Sequence, residues 1–441
     1  MVLWIGVDDT DSLRGMCTTF LATELVRQLT QDHDLVGYPR LVRLNPNIPW
    51  KTRGNGAVCL RIGEGAGEAR TVGRIEGRPI LSYPRARRTP GPASVVPLVA
   101  GLVEKWSSFE DPTTNPAFVV LESRPPPGLY WQAVRGFVPR ETALRLVEGR
   151  GTVRTYKNGR GVIGAAAATA WRPRDRTYEV LAYRAATRWG TRRDVDPTSV
   201  VEMDASFPST FNNYDPLNGR VVIAPRSPCP VLFGIRGDSA DELPAAMATI
   251  RGEDPDRWLV FETNQGTDDH VVKGPPFDPS TTVRFGGRVS SPPRSIPGGH
   301  WIVDIDGVEA TAYEPAKQFR NIVRALLPGD RVEVIGAVRD APRTLNLEKL
   351  RIDALIPAMR KEGNPECPRC RKRAKSLGRD AGFRCVRCGT RMPRIAARWT
   401  PLIRPVPLGW HEPPPGSRRH LSKPVKRMAA GRTSHLSVRT C

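Results

Sequence analysis

The sequence predicts a multidomain α+β protein, and three observations predict it. Strand and helix patterns alternate from the N-terminus through "RWLVFETNQ". Short strands broken by Gly, Pro and Asp follow, and two Cys-x-x-Cys pairs stand near the C-terminus. At 441 residues the chain exceeds what one hydrophobic core usually serves, and its 39% hydrophobic content is enough for several.

The elements follow in order. "LWIGVD" is a short apolar strand that ends in acid. From Met16 to Gln31, apolar residues at Phe20, Leu21, Leu25, Val26 and Leu29 recur with a helical period. "DLVGYPRLVRLNP" and "GNGAVCLRIG" predict strands, "SVVPLVAGLVEKW" a helix and "AFVVLES" a strand, an α/β pattern over residues 1–135. After "RPPPG", residues 136–278 predict a ferredoxin-like layer, with "PVLFGIRGD", "SADELPAAMATI" and "RWLVFETNQ" as its strand–helix–strand unit. Residues 279–356 predict a small closed barrel of the OB type, either purely structural or a binder of single-stranded nucleic acid. Residues 357–397 hold the cysteine pairs, and 398–441 form a basic tail.

Charge is unevenly placed. Residues 357–441 carry 21 Lys and Arg against 4 Asp and Glu, so this end supplies +17 of the formal net charge of +22. Such a block fits a polyanion-binding module, the alternative being a solvated tail. No apolar run approaches the roughly 18 residues of a membrane span, and no basic stretch precedes an apolar core at the N-terminus. A cytoplasmic protein without a membrane partner is expected, and no obligate protein partner is inferred.

The strongest motif is the cysteine quartet. Cys367 and Cys370 ("CPRC") and Cys385 and Cys388 ("CVRC") offer four thiolates on two turns, the donor set of a structural, closed Zn²⁺ site. Cys17, Cys59, Cys229 and Cys441 are scattered and read as isolated thiols.

"GVDDTDS" gathers Asp8, Asp9 and Asp11 at a strand end, just before a helix that opens with Thr18 and Thr19. Three crowded carboxylates repel one another unless a cation relieves them, and Mg²⁺ bridging to phosphate suits such a cluster. A capping or Ca²⁺ loop is the alternative. The helical period puts Thr18 on the inward face. "NPNIPWKTRGNGA" has no Walker A pattern, yet Lys51, Thr52 and Arg53 beside Gly54, Asn55 and Gly56 suit a polyphosphate. Further candidates end the strands of the second region: Arg236 and Asp238, then Asn264, Gln265, Asp268, Asp269 and His270. "FNNYD" adds Asn213, Tyr214 and Asp215, where an aromatic face and a carboxylate would suit a cationic ligand. For each of these, an ordinary Asn/Asp-rich turn is the competing reading.

Taken together, "GVDDTDS", "GMCTTFLA", "RLNPNIPWKTRGNGA", "FNNYD", "PVLFGIRGD", "FETNQGTDDH", "TLNLEKL", the cysteine pairs and "RRHLSKP" resemble the archaeal isoleucine-tRNA 2-agmatinylcytidine synthetases, in order and over nearly the whole chain. The resemblance implies a kinase-like first domain, and an ATP-dependent ligase forming a C–N bond between agmatine and the wobble cytidine of the CAU-anticodon isoleucine tRNA, so that AUA is read. It implies phosphorylation of the cytosine 2-oxo group, with ATP ending as AMP and phosphates. It further implies Mg-ATP on Asp8, Asp9 and Asp11, assisted by Lys51, Thr52, Arg53, Gly54, Asn55 and Gly56, and a phosphorylated Thr18. Asn213, Tyr214, Asp215, Arg236, Gln265 and Asp268 are the residues expected at agmatine. Two other readings compete: a non-catalytic single-strand-binding protein, and a kinase without ligation.

Overall fold

The structure, a computed structural model, describes residues 2–52, 54–274, 278–341, 343–378 and 380–430. Arg53 and Cys441, named above from the sequence, lie outside the described residues.

One 12-stranded sheet runs through both N-terminal regions. From one edge its order is Gly151–Thr155, Ala117–Leu121, Leu3–Asp8, Gly56–Gly63, Asp34–Val36, Arg78–Tyr83, Arg70–Ile75, Arg257–Thr263, Thr177–Tyr183, Val231–Gly237 and Thr210–Phe211. Arg40–Arg43 bridges the two halves, pairing with both Gly56–Gly63 and Arg257–Thr263. Strand–helix alternation predicted an α/β layer for the first segment. Instead Leu3–Asp8 pairs antiparallel with both of its neighbours: the Thr18–Leu29 helix does cross over to a strand of the same direction, Asp34–Val36, but the antiparallel Gly56–Gly63 strand is inserted between the two. The observed arrangement is therefore α+β.

Two faces of the sheet are covered differently. The Thr18–Leu29 and Pro92–Trp106 helices bury Phe20, Leu21, Leu25, Val95, Val99 and Val103 on one side. On the other lies the Val162–Ala170 helix, whose Gly164 and alanine run let it sit unusually close. A Cβ placed on Gly6 would lie 2.2 Å from the Ala165 carbonyl oxygen, so strand and helix meet backbone to backbone. That close approach fixes where the acidic strand end and the helix start come together. In the second region the Pro197–Ser206 and Leu243–Ala248 helices pack on Val180, Leu232, Ile235 and Val260.

A separate sheet curls into a closed barrel. Its order is Val271–Lys273, Thr282–Arg288, Arg331–Val338, Leu345–Ala354, Val308–Ala312, His300–Ile305 and Arg294–Ile296, with Gly409–His411 added on Leu345–Ala354. A bridge between Val289 and Ile305 completes the closure around Val303, Val334 and Leu350. The Ala358–Gly363 and Arg398–Leu402 strands pair with each other and carry the cysteine-bearing ribbon beyond the barrel.

After the barrel strand Gly409–His411 the chain crosses back onto the large sheet. Gly266 donates its N–H to the His420 carbonyl at 2.8 Å, and Asp268 donates to Leu421 at 2.9 Å. Leu421 is buried in the same core as Val162 and Trp171. The cations of this segment are largely paired: Arg418 with Glu412, Arg419 with Glu348, Lys423 with Asp175, and Arg427 with Asp175 and Asp238. Part of the positive charge read from the sequence as polyanion-binding, that of residues 418–427, is thus spent inside the fold.

Candidate functional site

A cavity of about 390 Å³ opens where the two halves of the large sheet meet. Asp8, Asp9 and Asp11 enter it from the end of the first strand, and Thr18 from the first turn of the helix. The loop after Arg40–Arg43 contributes Lys51, Thr52, Gly54, Asn55 and Gly56. Arg160 and Gly161 come from the start of the small-residue helix, Glu179 and Arg236 from adjacent strands, and His420 from the C-terminal segment.

The acidic loop is under strain and under charge. Asp9 sits at φ 58°, a left-handed conformation that costs a non-glycine residue energy and persists only where its surroundings enforce it. The Asp8 carboxylate is held well above the ordinary aspartate range, first by burial and then by the neighbouring charges of Asp9 and Asp11. Asp9 is pushed up to about 6 by burial, against the pull of Arg160. Gly164 is what makes room: a Cβ there would lie 1.8 Å from Asp8 Oδ2.

Thr18 is 5% exposed, and its Oγ1 accepts a hydrogen bond from the Thr10 hydroxyl at 3.1 Å. Lys51 donates to the Ile48 carbonyl at 3.0 Å, and burial together with Arg419 lowers its pKa. Asn55, at φ 45°, closes the loop by donating its side-chain amide to the Asn45 carbonyl at 2.8 Å. Exposed Trp50 and Phe137 meet edge to face at the rim, their centroids 5.6 Å apart.

The carboxylates of Asp8, Asp9 and Asp11, hard oxygen donors beside a glycine-rich loop, fit Mg²⁺ with phosphate better than a soft metal. The carboxylates are not drawn together as the thiols are. Among the described residues, Cys367, Cys370, Cys385 and Cys388 are the one group of three or more metal-ligating side chains whose ligand atoms all lie within 4.8 Å of one another. Their Sγ–Sγ separations of 3.4, 3.4 and 3.8 Å approach the edge of a tetrahedron. That edge is about 3.8 Å for Zn–S bonds of about 2.3 Å.

The remaining residues named from the sequence fall elsewhere. Asn213 is buried and donates to Asp204 at 3.0 Å and Thr210 at 2.8 Å. Tyr214 and Asp215 pair with Val221 and Arg220, so their segment backs Val222 and Ile223, which do line the cavity. Asp268 binds buried Lys349 at 2.6 Å and accepts the Lys423 N–H at 2.7 Å, a junction between sheet, barrel and C-terminal segment. Gln265 lies one layer behind the cavity, between His420 and Glu179. Asp269 accepts from Tyr130, and His270 meets Glu348 at 3.0 Å.

Besides Cys17 and Cys229, read above as isolated thiols, sequence reasoning missed Arg43, Arg160, Glu179 and His420 at the cavity. Two left a signal. Glu179 is the one charge in the apolar strand "TYEVLAY", and His420 lies within "RRHLSKP".

Comparison with known proteins now bears on this site. Models of the TiaS TCKD domain, the TiaS FLD domain and the TiaS C-terminal zinc ribbon domain match residues 4–159, 159–270 and 364–396. TiaS of Methanocaldococcus jannaschii, an isoleucine-tRNA 2-agmatinylcytidine synthetase, is 39% identical, over 97% of this chain and 99% of its own. That of Archaeoglobus fulgidus is 38% identical, over 97% and 98%. The crystal structure of a TiaS complex with its isoleucine tRNA and ATP is similar with a TM-score of 0.82 and 36% identity, covering 97% of this chain and 98% of that one. The TiaS complex with the same tRNA, AMPCPP and agmatine gives 0.79 and 34% over the same shares. With full-length relatives at this identity and three of its domain models matched in order, the chain belongs to the TiaS family of isoleucine-tRNA 2-agmatinylcytidine synthetases.

Proposed function

We propose that this chain is an ATP-dependent ligase that joins agmatine to the wobble cytidine of the CAU-anticodon isoleucine tRNA. The observation that carries the reading is the convergence of Asp8, Asp9, Asp11, Thr18, Lys51 and the Gly54–Gly56 turn on one cavity, in a chain alike over its whole length to enzymes of that name. Here the first region acts as a kinase-like catalytic domain, the second as a ferredoxin-like domain, and the barrel as an OB fold. The divisions at 135/136, 278/279, 356/357 and 397/398 belong to the same proposal, as does a cytoplasmic location. Among the described residues no helix is long and apolar enough to cross a membrane.

The chemistry follows from the substrate. A ring carbonyl oxygen is a poor leaving group, so ATP is needed to turn the cytosine 2-oxo group into a phosphate ester. The amine of agmatine then attacks the ring carbon and phosphate departs, with AMP and phosphates left from ATP. Lys51, Arg53 and the backbone of Gly54–Gly56 neutralise and orient the phosphates. Asp8 and Asp11, with Asp9 once Arg160 releases it, would hold Mg²⁺, which supplies charge neutralisation at the phosphate oxygens. Thr18 is the hydroxyl that becomes phosphorylated; burial on the inward face of its helix and the bond from Thr10 hold it in the cavity wall.

For agmatine, a dication, Glu179 offers a carboxylate in the cavity apart from the three aspartates, framed by Arg236 at 2.9 Å and by Gln265. Asn213, Tyr214 and Asp215 shape that pocket from behind through Val222 and Ile223, and Asp268 holds the C-terminal segment against it. The ribbon, with its structural Zn²⁺, and the barrel take the polyanionic tRNA. A target base in an anticodon loop can leave its stack to reach the cavity more easily than one in a duplex.

The test is to incubate the purified chain with ATP, Mg²⁺, agmatine and tRNA transcripts, then weigh the nucleosides. A cytidine heavier by agmatine less one water supports the ligase. ATP loss without that product points to a plain kinase, and no turnover to a single-strand binder.

A further inference from the structure

The C-terminal segment places an imidazole in the catalytic cavity, and its hydrogen bonds define which ring nitrogen is available. Gln265 donates its side-chain amide to Glu179 Oε2, since a carboxylate paired with Arg236 can only accept. Its carbonyl Oε1 therefore faces His420 Nδ1, 2.9 Å away, and Nδ1 must carry the proton. Nε2 is left with a lone pair and with no hydrogen-bond partner among the described residues. It lies across from Gly54, where an added Cβ would come within 3.5 Å. The ring is held from its own backbone by the Gly266 N–H and by buried Leu421 beside it.

We propose that His420 Nε2 is the proton acceptor for the attacking amine. The proposal rests on the ligase reading above. In the step, the primary amine nitrogen of agmatine forms a bond to cytosine C2 while the C2–O bond breaks, its electron pair leaving with the phosphate. The ammonium first gives one proton to solvent to free its lone pair; the second proton, released from nitrogen as the bond to C2 forms, passes to Nε2 and on to phosphate or solvent. Gln265 and Glu179 are positioning residues, holding the tautomer that keeps Nε2 basic.

The charges acting on the ring are Arg43 and Arg236; Lys51 and Glu179 line the same cavity, and Arg419 precedes the ring in the chain. Protein surrounds the ring while solvent reaches it through the cavity. Arg43 first, then burial and Arg236, hold the imidazole well below its ordinary pKa, so it is neutral at neutral pH. Phosphates bound in the cavity would offset that repulsion and make Nε2 a better base when the activated substrate is present.

The experiment compares wild type and His420→Asn, which keeps a side-chain amide to meet Gln265 but lacks the Nε2 base. Readouts are single-turnover conjugation over a pH series, Thr18 phosphorylation and tRNA affinity. The expected result is a fall of about 10²-fold in conjugation, loss of the acidic limb of the pH profile, and partial rescue by added imidazole. Thr18 phosphorylation and tRNA affinity should stay within about twofold, which shows that the variant is folded. Unchanged conjugation overturns the proposal, as does a loss confined to KM for agmatine with the pH profile intact. If wild type itself forms no agmatine adduct, the ligase reading fails instead.

Discussion

Arg160 donates two hydrogen bonds to one oxygen of Asp9, from Nη2 at 3.0 Å and from Nε at 3.2 Å. The same guanidinium reaches the Thr113 carbonyl at 3.1 Å. A fixed cation thus sits where three aspartates crowd, and it offsets part of the repulsion that a metal ion would otherwise relieve.

Replacing that cation should expose the repulsion. Arg160→Gln is expected to destabilise the metal-free protein by about 2 kcal/mol, the scale of hydrogen bonds to a charged group. Mg²⁺ should restore more of the melting temperature in the variant than in wild type, because the competing guanidinium is gone. Thermal melts with and without Mg²⁺ decide it; equal Mg²⁺ responses would refute a shared site.

Gly164→Ala should displace Asp8. The added Cβ would meet Asp8 Oδ2 at 1.8 Å, far inside contact distance. The helix is held from behind by the core side chains Tyr130, Val134, Ala143 and Val147, so the carboxylate must move. ATP turnover should fall at least about tenfold while the protein stays folded, with an overpacking cost of about 1–3 kcal/mol. Turnover at wild-type rate would mean that Asp8 is not needed in its present position.

Thr18→Val keeps the shape of the side chain and removes the hydroxyl. Conjugation should be abolished and phosphate should no longer appear on the Thr18 peptide, while tRNA affinity is nearly unchanged. Conjugation persisting in the valine variant would rule out the hydroxyl as a phosphate carrier.

The junction after the ribbon has a clear pH signature. Asp330 is fully buried and accepts from Arg404 Nη1 at 2.6 Å, Leu327 N at 2.8 Å and Ile356 N at 2.9 Å. Burial alone would raise its pKa, but Arg404 and the two backbone donors outweigh it and the group is lowered from 3.8. A depressed carboxylate contributes stability that is present above its unfolded pKa and is lost as pH falls through the folded one. The barrel should therefore weaken below about pH 4, in the range beneath the ordinary aspartate value. Asp330→Ala, which strands Arg404, should cost about 3–5 kcal/mol and flatten that acid response, as read from urea melts over a pH series.

Zinc removal should act locally. Cys367 and Cys385 lie in a small cluster with Ala374, Phe383, Met392 and Ala397, which has little else to hold it. Cys367→Ser or chelation is expected to unfold the ribbon and weaken tRNA binding, leaving Thr18 phosphorylation intact. Retained tRNA affinity together with lost zinc would show that the ribbon is dispensable for binding.

The parts legible in the sequence were those written in short-range pattern. The acidic strand end, the helix from Thr18, the glycine loop and the paired cysteines each lie within a few dozen residues, and local chemistry is enough to single them out. The antiparallel order of the sheet was not legible, since strand–helix alternation does not say which strand becomes the neighbour. Nor was the role of Asp268, because a carboxylate in a turn looks the same whether it meets solvent or buried Lys349, 81 residues away in sequence.

By itself, the sequence determined that this protein has an acid-rich strand end beside a glycine-rich loop, a barrel, a zinc ribbon and a basic C-terminal end. Only the tertiary structure decided that Arg160, Glu179 and His420 share the cavity with Thr18, and that residues 418–427 are largely neutralised within the fold. The reason is physical: residue type fixes what a group can do, but charge pairing and burial depend on distances that only chain closure sets.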